Sequence, residues 1–356
     1  MRNKLILFAC LIFASSTSGQ IMKEFNSLFI NYDNPNLPGA SVMVIKNGEI
    51  IFSKGYGIAV FEKMIPVTDY TNFRLASVTK QFTSMCILQL IEKGKLSFKT
   101  TLTEIFEGFP KYGGQITIKH LLQHTSGLVD YENLIPDTAT IQVKDKDALE
   151  MMMNIDSVYF QPGEKYQYSN TGYALLSLTV AKISGLRFRD YLRKNIFTPL
   201  GMKNTLAYEN GINEVSNRAF GYTIHADSVE FTDQSITSAV LGDGGVYSSI
   251  NDLYKWDKAL YTEILVKKEL LDIAFTRGKL NNGDELEYGF GWRLEKYRGY
   301  EIVYHTGSTR GFRNILYRIP EQNFSVIILT NRNSGEEFST LEIAHKVVDL
   351  FFNENN

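Results

Sequence analysis

The stretch Phe73-Arg74-Leu75-Ala76-Ser77-Val78-Thr79-Lys80 leads into the first long helical pattern of the chain. That pattern covers Thr79 to Glu92, and Gly94 follows its end. Its apolar residues recur every three positions, at Phe82, Met85, Leu88 and Ile91. Such spacing predicts an α-helix with one buried face, and a glycine just beyond it is a usual stop signal. Ser77 and Lys80 therefore lie at the start of a predicted helix.

Ser77 and Lys80 are three residues apart, so they occupy neighbouring positions on one helical face and the amine can reach the hydroxyl. A serine hydroxyl is a weak nucleophile until a base removes its proton, and lysine is one recognised partner. No other Ser-x-x-Lys occurs in the chain. The alternative is a serine that caps the helix and a lysine that faces solvent.

Strand patterns lie at both ends of the chain. Ala40 to Ile45 and Glu49 to Lys54 are joined by Lys46-Asn47-Gly48, and Asn-Gly is a strong hairpin signal. Four more strands are predicted near the other end, at Tyr288 to Glu295, Glu301 to His305, Phe312 to Ile319 and Phe324 to Thr330. A closing amphipathic helix covers Thr340 to Phe352. Short connections between these strands predict antiparallel pairing.

The centre of the chain is mostly helical. Further helices are predicted at Ile118 to Gln123, Gly172 to Ile183, Phe188 to Ile196 and Leu253 to Leu260. We therefore predict an α+β fold, with one antiparallel sheet from both chain ends, flanking helices and an inserted, mostly helical lobe. The α/β lobe takes residues 20–93 and 285–356, and the helical lobe takes residues 94–284. Residues 20–356 form a single catalytic unit in this prediction, with the ligand site between the lobes.

Two further motifs contain polar residues and lie at the ends of predicted secondary-structure elements. Tyr168-Ser169-Asn170 follows the turn Pro162-Gly163 and comes directly before a predicted helix. His305-Thr306-Gly307 ends a predicted strand, where a substrate could pair with the backbone and Gly307 would allow a close approach. The alternative for the first of these motifs is a Ser or Asn that caps the helix beside a packed tyrosine. The alternative for the second is an ordinary strand end with an exposed histidine.

The three motifs, in this order, resemble those of the penicillin-recognising serine hydrolases: class C β-lactamases, D-Ala-D-Ala carboxypeptidases, D-aminopeptidases and related esterases. The second motif begins with tyrosine, and in this respect it resembles the second motif of class C β-lactamases and the serine peptidases related to them. The resemblance covers nearly all of the chain after the first twenty residues. Further similar stretches are Leu121-Leu122-Gln123-His124-Thr125-Ser126-Gly127-Leu128 and Gly242-Asp243-Gly244-Gly245-Val246-Tyr247-Ser248-Ser249.

The resemblance implies a role for each motif residue. Ser77 would attack a carbonyl and form an acyl-enzyme, while Lys80 and Tyr168 would hold and move its proton; which of the two is the base stays open. Asn170 would hydrogen-bond a substrate amide or Lys80. Backbone N–H groups of Ser77 and Ser308 would form the oxyanion hole. The implied reaction uses no cofactor and no metal.

The third motif departs from class C β-lactamases, which have lysine where this chain has His305. A third motif that begins with histidine resembles those of the carboxypeptidases, D-peptidases and esterases in the family. Thr306, Ser308 and Arg310 could bind a carboxylate, for which arginine is the strongest donor. We therefore expect a peptide or amide of the D-Ala-D-Ala type, with a peptidoglycan-derived molecule as one possible source. The alternatives are a class C-like β-lactamase, a carboxylesterase, and a non-catalytic wall-binding or sensor protein.

Charge and the first residues constrain location and partners. The 356 residues include 37 Lys and Arg against 39 Asp and Glu, so a basic surface for nucleic acid is not expected. Residues 1–19 have the order of an export signal: Arg2 and Lys4, then an apolar run, then small polar residues. We predict a periplasmic or secreted monomer without a transmembrane helix. A lipoprotein anchor at Cys10 is a minor alternative.

The sequence argues against three other kinds of site. His120 and His124 have the i, i+4 spacing that suits zinc, but the glutamate of His-Glu-x-x-His is absent and no third ligand is apparent. Cys86 lies among apolar residues on the first long helix and is predicted to pack in the core. No Gly-x-Ser-x-Gly occurs, which excludes an ordinary α/β-hydrolase.

Overall fold

The computed structural model describes residues 21–333 and 339–352. The predicted export signal over residues 1–19, with Cys10, lies outside the described residues. Residues 21–28 are helical. None of the helices within the described ranges combines the length and the apolar composition needed to cross a bilayer.

Fourteen strands are found in the described residues. They are β1 (Ala40–Lys46), β2 (Glu49–Tyr56), β3 (Ile58–Val60), β4 (Ile65–Pro66), β5 (Phe73–Arg74), β6 (Leu206–Ala207), β7 (Tyr222–Ile224), β8 (Val229–Phe231), β9 (Val246–Ser248), β10 (Arg293–Tyr297), β11 (Tyr300–Thr309), β12 (Phe312–Ile319), β13 (Phe324–Thr330) and β14 (Arg332–Asn333). Six of them form the main sheet, in the order β10-β11-β12-β13-β1-β2.

All neighbours in the main sheet are antiparallel, and strands from both ends of the chain meet where β1 pairs with β13. The pairing runs from Ala40 opposite Thr330 to Lys46 opposite Phe324. Asn47 and Gly48 join β1 to β2 with positive φ angles of 54° and 77°, which is the backbone that an Asn-Gly hairpin provides. The predicted α+β class, with one sheet built from both chain ends, is confirmed.

The helices lie mainly between residues 80 and 274. They are α1 (Lys80–Glu92), α2 (Leu102–Ile105), α3 (Ile118–Leu122), α4 (Asp145–Met153), α5 (Asn170–Ser184), α6 (Phe188–Leu192), α7 (Leu241–Gly244), α8 (Ile250–Ala259), α9 (Lys268–Ala274) and α10 (Thr340–Phe351). Short 3-10 turns are Ile30–Tyr32, Phe61–Lys63, Ala76–Thr79, Lys111–Gln115, Tyr131–Leu134 and Pro320–Gln322, and a π-helical turn covers Arg193–Phe197.

The main sheet is covered on both faces. Along β13, Val326 and Ile328 contribute to a buried cluster with residues of α10, including Val347. The alternating residues Ile327 and Leu329 contribute to the larger core that contains α1 and α8. This two-residue alternation is what a strand buried on both faces shows, since successive side chains point to opposite sides. Cys86 belongs to the larger core and is fully buried, as predicted.

Several element boundaries differ from prediction. The strand expected from Tyr288 begins at Arg293, after a segment in which Gly291 has a φ of 77°. A Cβ added at Gly291 would lie 2.7 Å from the backbone oxygen of Lys80, so this segment closely approaches helix α1, and Tyr288 forms an isolated bridge with Arg293. The helix predicted over Phe188 to Ile196 ends at Leu192 and continues as the π-helical turn.

Candidate active site

Ser77 lies in the 3-10 turn Ala76–Thr79, immediately before helix α1. The preceding residue, Ala76, has a φ of 50°, a left-handed conformation that is uncommon for residues other than glycine. Ser77 lines a narrow cavity of about 50 Å³ together with Glu132, Asn170 and Asp243. The turn therefore presents the Ser77 side chain to a cleft whose other walls come from distant parts of the chain.

Short strands on either side fix this turn. β5 pairs with β9, and the backbone N–H of Leu75 donates to Val246 O at 2.8 Å. Arg74 donates from Nε to Gly244 O at 3.2 Å and from Nη2 to Ser238 O at 3.1 Å. These bonds tie the segment before Ser77 to the segment that contains helix α7.

Lys80 is fully buried, with its Nζ atom donating to three acceptors. They are Ser77 Oγ at 3.2 Å, Asn170 Oδ1 at 2.8 Å and the backbone oxygen of Asp243 at 2.9 Å. An ammonium group has three N–H donors, so each of them is used. The predicted reach of the amine to the Ser77 hydroxyl is present in the structure.

Burial lowers the pKa of Lys80 from its ordinary value to about 8, because a charged amine loses its hydration there. The carboxylates of Asp243, Asp130 and Glu132 oppose this effect and raise the pKa. A neutral Lys80 amine is therefore present in a substantial fraction of molecules near pH 8, and that form can accept a proton from Ser77.

The ring centre of Tyr168 lies 4.9 Å from Lys80 Nζ. Burial raises the pKa of the Tyr168 phenol above its ordinary value, although the nearby Ser77 side chain lowers it in part. The phenol is therefore protonated at neutral pH, and it can donate a proton.

Asn170 is the first residue of helix α5, whose cap is the Ser169 hydroxyl accepting from Gly172 N at 3.3 Å. The Asn170 amide is held at both ends: Oδ1 accepts from Lys80, and Nδ2 donates to Glu132 Oε1 at 3.0 Å. Its backbone N–H donates to Asp130 Oδ2 at 3.1 Å. Of the two partners expected for Asn170, the structure shows Lys80.

Asp243 is a site residue that the sequence motifs did not single out. It lines the cavity beside Ser77, and its Oδ2 accepts from the Tyr131 hydroxyl at 3.0 Å. Burial raises its pKa to about 7, against the lowering effect of Lys80. The buried carboxylate of Asp145 holds this segment by accepting from Leu241 N at 2.8 Å and Gly242 N at 2.9 Å. In the sequence, Asp243 was indicated only by the Gly-Asp-Gly-Gly stretch that resembles the family.

The His305 side chain is buried, in contrast to the exposed histidine of the alternative interpretation. Only 1% of its surface is exposed, and both ring nitrogens have partners. Nδ1 lies 2.7 Å from Thr306 O and Nε2 lies 2.9 Å from the Tyr288 hydroxyl. Because Thr306 O can only accept, Nδ1 carries the proton and Nε2 accepts from Tyr288. Burial lowers the pKa of His305 to about 3, so the ring is neutral and supports the wall behind Tyr168.

The other residues of the third motif lie along β11 or directly after it. A Cβ added at Gly307 would lie 2.0 Å from Leu75 O, so only glycine lets the strand approach the Ser77 turn this closely. Ser308 lines the cavity beside Ser77, while Thr306 is half-buried. Arg310, at the exposed turn after β11, lines an outer cavity of about 650 Å³ that also includes Glu132.

Arg293 is a second residue that sequence reasoning missed. It begins β10, and its guanidinium lies 5.8 Å from the centre of the Tyr168 ring. Within the described ranges the Arg293 side chain has no ion-pair partner. It is a cation on the Tyr168 side of the site, whereas Arg310 lies on the side of Glu132.

The two histidines with metal-ligand spacing have other partners. His120 Nδ1 accepts from Thr117 N at 3.2 Å, and His124 Nδ1 accepts from Ser169 N at 3.0 Å. Within residues 21–333 and 339–352, no group of three or more His, Cys, Asp or Glu side chains has the arrangement to hold a metal ion.

Comparison with known proteins gives consistent matches. A family model described as Beta-lactamase matches residues 23–348. Penicillin-binding protein 4* of Bacillus subtilis (strain 168) is 34% identical over 335 residues, which are 89% of this chain and 73% of that protein. Further curated relatives are 27% identical, and the chain spans 64% of their length.

Solved structures share the fold. An octameric penicillin-binding protein homologue from Pyrococcus abyssi has a TM-score of 0.76 at 25% identity, over 95% of this chain and 77% of that one. D-amino acid amidase from Ochrobactrum anthropi SV3, complexed with L-phenylalanine amide, has a TM-score of 0.78 at 24% identity, over 95% of this chain and 100% of that one. The octamer is a property of the Pyrococcus protein, and a monomer stays a prediction for this chain.

The charge of Asp243 should set the pH at which Ser77 becomes reactive. In Asp243→Asn, the carboxylate that most strongly raises the pKa of Lys80 is lost, so this pKa falls below about 8. The rising limb of kcat/KM against pH, measured with an activated ester, should move to lower pH by about one unit. Asp137→Asn, in the outer cavity, is the control and should leave the limb in place. An unchanged or higher midpoint in Asp243→Asn would contradict this electrostatic role.

Proposed function

Because this chain belongs to the beta-lactamase family of serine hydrolases, we propose that it forms an acyl-enzyme on Ser77 with a peptide or amide of the D-Ala-D-Ala type, or with a related ester or lactam. One observation carries the proposal: the fully buried Nζ of Lys80 lies 3.2 Å from Ser77 Oγ. A hydroxyl with a buried amine at this distance has its base within hydrogen-bond reach.

In the proposed acylation, Ser77 Oγ attacks the substrate carbonyl carbon and its proton passes to the neutral amine of Lys80. The lowered pKa of Lys80 and the raised pKa of Tyr168 support a proposal in which Lys80 is the base and Tyr168 the proton donor. When the carbon–nitrogen or carbon–oxygen bond breaks, the leaving group takes the proton of Tyr168. Lys80 then returns a proton to Tyr168, and water later releases the acyl group.

The negative charge that develops on the carbonyl oxygen is proposed to lie between the backbone N–H groups of Ser77 and Ser308. The close approach at Gly307 brings β11 beside the Ser77 turn, which supports this arrangement. Preorganised N–H donors of this kind lower the barrier because they need no reorientation during the reaction.

A carboxylate-bearing substrate is proposed because the site has arginines at both sides and a neutral histidine in the third motif. His305 is uncharged and buried, so it cannot supply the cation. Arg310 faces the outer cavity, and Arg293 lies beside Tyr168. Guanidinium groups bind carboxylates in a bidentate manner, which favours a substrate with a free terminal carboxylate.

The proposal also covers organisation and location. Residues 20–356 act as one catalytic unit, because Ser77, Asn170 and Ser308 come from well separated parts of the chain and line one cavity. The enzyme is proposed to be exported, as a periplasmic or secreted monomer, on the sequence pattern of residues 1–19.

A labelled penicillin tests the acyl-enzyme directly. We expect intact-protein mass spectrometry to show one adduct per chain for the native sequence and none for Ser77→Ala, since no other serine has a buried lysine as its partner in the described residues. Ser97→Ala, at an exposed position, is the matched control and should acylate normally. A lasting adduct indicates a penicillin-binding peptidase, and rapid release indicates a β-lactamase.

Without any adduct, turnover of esters and D-peptides that depends on Ser77 would indicate an esterase or D-peptidase. If the protein turned over none of these substrates, the proposed hydrolase would be contradicted and the wall-binding or sensor alternative would be favoured.

Substrate preference should depend on the two arginines. Hydrogen bonds to charged groups contribute about 1.5–3 kcal/mol, so losing the responsible arginine should reduce the preference for a free carboxylate over an amidated terminus roughly 10- to 100-fold. The measurement is kcat/KM for both peptides with Arg310→Ala, Arg293→Ala and the exposed control Arg187→Ala. An unchanged preference in both Arg310→Ala and Arg293→Ala would rule out the proposed carboxylate site.

A further inference from the structure

Residues 124–127 hold the segment that carries Tyr168. Four hydrogen bonds are donated to them from residues 159–169, and each is 3.0 Å or shorter. The backbone bonds are Tyr159 N to Gly127 O at 2.8 Å, Gly163 N to Thr125 O at 2.8 Å and Gln167 N to His124 O at 2.9 Å. The fourth is from Ser169 N to His124 Nδ1 at 3.0 Å. His124 thus accepts from the residues on both sides of Tyr168.

The His124 ring also contacts the Tyr168 ring itself. Their centres are 4.3 Å apart, with an angle of 33° between the planes. On its other sides the imidazole meets Tyr173 at 5.1 Å and Tyr288 at 4.6 Å. Only 1% of the His124 surface is exposed. The ring is therefore a fixed support behind the Tyr168 phenol.

The protonation state of His124 follows from these contacts. Nδ1 accepts the Ser169 N–H, so in the neutral ring the proton is on Nε2. Burial, together with the nearby positive charges of Lys80 and Arg293, lowers its pKa well below the ordinary value. Nε2 is buried and has no hydrogen-bond partner among the described residues.

A buried N–H without a partner is costly, about 1–3 kcal/mol for a group of this kind. A phenylalanine would avoid that cost and keep the ring, and an asparagine would keep the acceptor and suit the backbone. His124 has a φ of 57°, a left-handed conformation in which asparagine is among the commonest residues. Only histidine among these three combines an acceptor for Ser169 with a ring against Tyr168.

We propose that His124 is a positioning residue for Tyr168: its Nδ1 fixes the backbone beside Tyr168, and its ring fixes the phenol against Ser77. The proposal rests on the proposed function, because it assigns His124 to the proton donor of that site. His124 does not touch the reacting atoms. Its contribution to the rate passes through Tyr168 alone.

Two variants separate the two contacts. His124→Asn keeps an acceptor for Ser169 N and tolerates the backbone, while His124→Phe keeps a ring and loses the acceptor. Since misplacing a catalytic group by about 1 Å can cost on the order of 100-fold, kcat should fall roughly 10- to 100-fold in each variant, with little change in KM. His120→Asn, the same substitution on helix α3 away from Tyr168, should leave kcat unchanged.

A double-mutant cycle distinguishes positioning from general structural damage. The same substitution, His124→Asn, is made in the native chain and in Tyr168→Phe, and acylation by an activated ester is followed in a single turnover. If His124 acts through Tyr168, the second background should show less than about a twofold further loss. An equal fall in both backgrounds, or no fall in the native one, would overturn the proposal.

A spectroscopic measurement tests the proposal without activity. In protein with carbon-13 in the tyrosine rings, the NMR signal that disappears in Tyr168→Phe belongs to Tyr168. That signal should be single and sharp in the native chain, and shifted and broadened in His124→Asn and His124→Phe, but not in His120→Asn. An unaltered Tyr168 signal in folded variants would refute positioning. If the native chain hydrolyses no substrate, the proposed function fails, while this measurement still decides the role of His124.

Discussion

The burial of the Lys80 ammonium is the constraint on which the arrangement of the site depends. A charged amine away from water needs an acceptor for each of its three N–H donors, and a missing acceptor would leave a buried donor unpaired. The three acceptors belong to separate segments: Ser77 in the turn before α1, Asn170 at the start of α5 and Asp243 in α7. Satisfying one amine therefore brings three distant segments to the same point.

The segments around Lys80 are in turn held by buried polar contacts of their own. Asp145 accepts two backbone N–H groups of the segment that leads to Asp243, and Arg74 links the Ser77 turn to Gly244. His124 holds the segment of Tyr168. Burial lowers the pKa of Lys80, and the negative charges of Asp243, Asp130 and Glu132 raise it in part. The pKa of the amine is thereby kept near 8, where the charged and neutral forms are both populated.

Local patterns in the sequence predicted the parts of this structure that local geometry controls. The spacing of Ser77 and Lys80 predicted their contact, and Asn47-Gly48 predicted the hairpin that begins the main sheet. The neutral, buried state of His305 was not predictable, since it depends on Tyr288 and on packing between distant elements. Asp243 and Arg293 were missed for the same reason: neither has a distinctive sequence spacing, and each reaches the site only through tertiary contacts.

The central claim is that Lys80 is a buried amine of lowered pKa, and a direct titration tests it. In protein with lysine side chains labelled with carbon-13 and nitrogen-15, the signals absent from Lys80→Met belong to Lys80. These signals are expected to titrate with a midpoint near pH 8, with the charged form below it and the neutral form above it. A midpoint near the ordinary lysine value of about 10.4 would contradict the account, because Lys80 would then stay protonated and could not take the proton of Ser77.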